Sequence, residues 1–189
     1  MSPKMQYTPA EYVAELKRQS TMAQALAGNL DDASLNWQPT SGKSWSVAQC
    51  LDHLAIMNAK YLKALQDAVA NNRDQLEPRR VPIQPSGWLM RWWIGTEEPP
   101  PRFKLPAPKK IQPASKLSGA VVQKFCSLQK QLADFVREWG EADLGDLKVK
   151  DPVAPLHLTA DTQLLLVSYH NRRHLWQAAN VTKSAGFPG

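Results

Sequence analysis

The sequence predicts an all-α protein in which four long helices pack as an antiparallel four-helix bundle. Three observations carry this. Four segments of about 20 residues repeat apolar positions at helical spacing. Two of them open on a reciprocal capping motif. No run of residues alternates apolar and polar convincingly enough to make a strand.

The first helix is read over residues 9–30. Thr8-Pro9-Ala10-Glu11 is a capping box with proline at the first helical position. Tyr12, Leu16, Gln19, Ala23, Leu26 and Leu30 follow near helical spacing. The turn-rich stretch Asn29 to Gly42 ends it. The second helix begins at Ser46, with Gln49 three residues on as a second capping box, and fades by Asn71-Asn72. Its broad apolar face includes Val47, Cys50, Leu54, Met57, Tyr61 and Leu65. Trp45, just ahead of the cap, is placed to act as a hydrophobic staple. The third helix runs from about Ser118 to Trp139 on a face of Val121, Val122, Phe125, Leu128, Leu132, Phe135 and Val136, with Gly140 as its expected C-terminal residue. The fourth starts after Thr159 and runs to about Val181.

Residues 72–117 differ from the rest. They hold nine of the fifteen prolines, and nine Lys/Arg against four Asp/Glu. That is a local +5 within a chain total of +6. A short helix over Gly87–Ile94 fits the cluster Trp88, Trp92 and Trp93, and the remainder reads as extended connection because proline ends helices. The ranking of roles for this insertion is a structural wrap over helix edges first, a lid over an anionic substrate second and a nucleic-acid patch a distant third. The whole of residues 1–189 is read as a single domain.

Composition narrows the function. At 189 residues with 43% apolar content the chain can bury a core without disulfides. The longest apolar runs, such as Leu164–Val167, are far too short to span a bilayer. The polar start carries no secretory signal pattern, and two cysteines make no disulfide framework, so a cytoplasmic location is expected. No glycine-rich nucleotide-binding motif is present.

Histidine is scarce, with four residues, and three fall on two helices. His170 and His174, one turn apart, project from one face of the fourth helix; His53 lies in the second turn of the second helix. Both stripes are mainly apolar, so the imidazoles are expected to face the interior. A single buried histidine is ordinarily one hydrogen-bonded to a carbonyl. The other reading is a metal ligand, and three imidazoles with an open position would make a catalytic rather than a structural arrangement. The pair is not the zinc-protease motif, since Asn171, Arg172 and Arg173 stand between the histidines and no carboxylate follows Asp161 on that helix. With no evident general base, chemistry would rest on the metal as Lewis acid or on a metal-bound water or thiolate.

Two segments carry a family resemblance. Gly42-Lys43-Ser44-Trp45-Ser46-Val47-Ala48-Gln49-Cys50-Leu51-Asp52-His53-Leu54 has a Trp-Ser…His-Leu pattern, and Tyr169-His170-Asn171-Arg172-Arg173-His174-Leu175-Trp176-Gln177 has a His-x-x-x-His-x-x-Gln pattern. With these the chain resembles the DinB-like (DinB/YfiT-like) proteins, in helix order over nearly its whole length. The resemblance implies an up-down-down-up bundle with a long central connection. It also implies a divalent metal, nickel or zinc, on His53, His170 and His174. Relatives include thiol S-transferases that use low-molecular-weight thiols and proteins described as metal-dependent hydrolases. The expected partner is therefore a small molecule, such as a thiol, with neither membrane nor nucleic acid, and with a homodimer left open. A non-catalytic metal- or ligand-binding bundle is the alternative. Gln177, one turn after His174, is the candidate substrate-binding residue. His157 reads as a surface loop residue and Cys50 as core; either would reach the metal only by exception.

Overall fold

The computed structural model describes residues 4–39, 44–101, 103 and 106–188, so Gly42 and Lys43 of the first motif lie outside the described residues. The fold is mostly helical. In order the elements are α1 (Pro9–Ala27), α2 (Asp32–Asn36), α3 (Val47–Asn72), α4 (Gly87–Gly95), α5 (Ala120–Trp139), β1 (Lys148–Lys150), β2 (His157–Thr159) and α6 (Ala160–Thr182). The four long segments are α1, α3, α5 and α6, and α4 is the expected short helix. Both capping boxes form: Thr8 with Glu11 and Ser46 with Gln49 each exchange two hydrogen bonds.

Two small elements depart from expectation. α2 lies inside the stretch read as turns, where the Asp31 carboxylate caps it by accepting from the Ser34 N–H at 2.8 Å. β1 and β2 form an antiparallel pair in the register Val149↔Leu158. Three residues per strand are too few for alternation to show in sequence. Gly140 also differs. It ends α5 with right-handed φ of −64°, not the left-handed turn expected of a C-terminal glycine. A Cβ there would sit 2.8 Å from the Cβ of Pro9, so glycine is required by the close approach of α5's end to α1's start.

α1 packs on α5, α5 on α3, α3 on α6, and α6 back on α1. α5 begins beside the start of α3, where Lys124 reaches Asp52 at 3.0 Å. α1 runs alongside α6, with the Tyr12 hydroxyl donating to the Leu164 carbonyl and the Gln19 amide to Ser168. The core falls into two apolar clusters, one around Tyr12, Leu65 and Leu132 and the other around Leu51, Phe125 and Leu175. Between them lie the buried polar groups Gln19, Asn58, Gln129, Ser168 and Asn171. Gln129 occupies the interior position in place of its half-buried neighbour Leu128, and its amide has no hydrogen-bond partner among the described residues.

The segment between α3 and α5 is tied down at several points. Arg79 makes two hydrogen bonds to Asp161, at 2.8 and 2.9 Å, and a third to the Gly140 carbonyl. Both side chains of this ion pair are almost fully buried, at 5% and 1% exposure. Tyr7 and Ile83 pair through their backbones. These contacts carry the chain across the α3 and α6 ends and lay α4 against α6.

Candidate metal centre

α3 and α6 bring His53, His170 and His174 together. One ring nitrogen from each lies within 4.8 Å of the others, and this cluster could hold a metal ion. His53 and His174 are buried and His170 is partly exposed. The imidazoles face one another, with centroids 4.5–5.1 Å apart.

The outward nitrogens decide what this cluster can do. His53 Nδ1–H donates to the Ile111 carbonyl at 2.7 Å. His170 Nδ1–H donates to Glu97 Oε2 at 3.1 Å, and His174 Nδ1–H donates to Gln177 Oε1 at 2.9 Å. Each partner is an oxygen that can only accept, so the proton of each neutral ring belongs on Nδ1. Nε2 is then a bare lone pair on each neutral ring. His53 Nε2 and His170 Nε2 stand only 2.9 Å apart, an arrangement that two lone pairs resist and that a shared cation, a proton or a metal ion, favours. Burial, followed by the repulsion that a protonated His170 would add, pushes His53 down to about 4. The same causes push His174 well below its ordinary value. Both rings are therefore neutral near pH 7, the state a metal requires. The donor set, three imidazoles each oriented through the opposite nitrogen, fits a divalent ion.

Three residues that hold the histidines were not read from the sequence in that role. Ile111 contributes a backbone carbonyl. Glu97 comes from the turn after α4, and its other oxygen accepts from Arg173 at 3.0 Å. Burial alone would raise the Glu97 carboxyl, but His170 and Arg173 outweigh it and hold the group low. Trp45 lies over the His53 and His174 rings at 4.7 and 5.4 Å, so it packs the histidines as well as the helix start. The Arg pair between the histidines has a matching acidic pair: Arg173 meets Glu97, and Arg172 meets Glu98 at 3.0 Å as well as Glu15 at 2.8 Å. That complementarity is the one sequence feature that could have pointed to Glu97.

The remaining candidates fall elsewhere. Gln177 orients His174 and borders the open groove beside it. His157 is exposed on β2, outside the cluster. Cys50 is fully buried in the second apolar cluster, where burial raises its thiol. A cavity of about 440 Å³ opens from the three imidazoles and runs between α3, α4, α6 and the β1–β2 loop. Its walls are mainly apolar side chains, including Met57, Met90, Ile94 and Leu166.

A family model of the DinB superfamily matches residues 15–178. The chain belongs to the DinB superfamily. Comparisons with curated proteins and with solved structures return no match. The matched region includes all three histidines of this DinB protein, Glu97 and Ile111. No described helix is long and apolar enough to cross a membrane.

Proposed function

We propose that this DinB protein is a metal-dependent enzyme in which His53, His170 and His174 hold a divalent ion, nickel or zinc, and a thiol or water is activated beside it. The reading adopts the family's architecture: one domain over residues 1–189, α1, α3, α5 and α6 as an up-down-down-up bundle, and 72–117 as its insertion. The observation that carries it is the set of three Nδ1–H bonds to Ile111, Glu97 and Gln177, which leaves three Nε2 lone pairs turned toward one another.

Transfer of a thiol suits the site better than hydrolysis. Hydrolysis asks for a free base, and both oxygens of Glu97 are already engaged, one by His170 and one by Arg173. A bound divalent ion supplies the missing function by lowering the pKa of a thiol or water. The protein's own groups do the rest. Ile111, Glu97 and Gln177 fix the ring tautomers, Trp45 holds two rings in place, and the apolar cavity walls exclude water from the reacting end. Both cysteines are unpaired, which suits a reducing, cytoplasmic setting.

Two measurements on protein purified without a histidine tag test the proposal. Elemental analysis should find one divalent ion per chain, and none in the His170→Ala/His174→Ala variant. Conjugation of low-molecular-weight thiols to electrophiles should then proceed with metal-loaded protein and stop with chelator. Equal metal content in both proteins would remove the site, and metal-loaded protein with no turnover across a broad panel would remove the transferase reading.

A further inference from the structure

The 440 Å³ cavity changes character along its length. α3 lines it with His53, Met57 and Tyr61, and the rise from His53 to Tyr61 is roughly 12 Å. The imidazoles form one end. The middle is apolar. Asp151 and Tyr61 close the other end. Asp151 is 5% exposed. Its Oδ2 accepts from the Tyr61 hydroxyl at 2.7 Å, and its Oδ1 accepts from the Val153 and Ala154 backbone N–H groups at 2.8 and 2.7 Å. All three donors are neutral, and no basic side chain forms an ion pair with Asp151 among the described residues; Lys110, beside the same loop, donates instead to the Pro152 carbonyl at 2.8 Å. The other carboxylate on the cavity, Glu97, has its charge matched by Arg173. A cation brought to a buried carboxylate that holds only neutral donors gains a charge-assisted hydrogen bond. Burial and the Asp151 charge raise the Tyr61 phenol, which therefore remains a neutral donor to that carboxylate.

We infer that the cavity binds an elongated amphiphilic amine, with its protonated nitrogen at Asp151, its apolar body along Met57 and Leu166, and its reacting end at the imidazoles. The last clause rests on the metal-site reading above; the amine and apolar contacts do not. A carboxylate in place of the amine would face Asp151 directly and is rejected by like charge.

The test uses n-octylamine, 1-octanol and octanoate, which share one apolar body and differ in the end group. Calorimetric titration at pH 7, on the protein as purified and after EDTA treatment, should give octylamine at least about tenfold tighter than octanol, with octanoate weakest. Removing metal should leave this order intact. Asp151→Asn keeps an acceptor for the two backbone N–H groups and should bring octylamine level with octanol. Leu166→Trp should abolish binding of all three. Octanoate binding as tightly as octylamine, an amine preference that vanishes with EDTA, or no binding by any of the three would overturn the inference. The ranking on the unmodified protein stands even where a variant fails to fold. Metal content, measured separately, reports on the metal reading alone.

Discussion

The two sides of the histidine site are built by different means. The helical side, α3 and α6, delivers the three imidazoles by periodicity: positions 170 and 174 share a face because they are one turn apart. The other side, the segment between α3 and α5, delivers Ile111, Glu97 and part of the cavity wall by tertiary docking. The first side decides which atoms can bind a metal. The second, together with Gln177 of α6, fixes which ring nitrogen carries the proton and shapes which ligand reaches it. Loss of docking should therefore damage the site while leaving its histidines in place.

The largest effect is expected at the deepest docking contact. Arg79→Ala leaves Asp161 buried without its partner and removes the bond to Gly140. Breaking such a pair costs about 3–5 kcal/mol, to be read as a lower urea midpoint, with metal affinity falling too because Glu97 and Ile111 lose their support. An unchanged midpoint would make the segment between α3 and α5 an appendage.

Acid should loosen the same attachment from the helical side. Burial would raise the Glu15 carboxyl, but Arg18 and Arg172 outweigh it and bring it from 4.5 to about 2. Between those values the unfolded chain binds the proton that the folded chain refuses. The stability Glu15 contributes is thus complete above pH 4.5 and is lost as pH falls toward 2, by up to about 3 kcal/mol. Urea titrations from pH 6 to pH 2 should show this loss, and Glu15→Gln should flatten it. Because Arg172 also holds Glu98 of the insertion, the variant should loosen docking even at neutral pH.

A smaller, more local change separates orientation from ligation. Glu97→Gln keeps the shape of the acceptor but removes its charge, and metal affinity should fall about 10–100-fold with little change in fold. Competition with a chelating dye measures it. An unaltered affinity would mean that Glu97 serves Arg173 alone.

This contrast explains what could be read before any coordinates. The caps at Thr8 and Ser46, the apolar stripes of α1, α3, α5 and α6, and the shared face of His170 and His174 are local patterns, and local patterns survive in a sequence. The short helix read over Gly87–Ile94 was legible for the same reason. The Ile111 carbonyl was not, because every residue has one and only docking selects it. Glu97 was hidden among the charges of a basic, proline-rich stretch, since its pairing with Arg173 is 76 positions long in sequence. Gln129 misleads in the opposite direction: a polar residue took the interior place that Leu128 was expected to fill, within a level of buried amides and hydroxyls contributed by all four long helices.

The central claim is that the three rings carry their protons on Nδ1 and present Nε2 to a metal. Histidine side-chain ¹⁵N NMR during a zinc titration tests it directly. Three Nε2 resonances should move together and saturate at one zinc per chain, while three Nδ1 resonances keep their protonated shifts. Zinc that moves the Nδ1 resonances, or moves none of the three rings, would contradict the account.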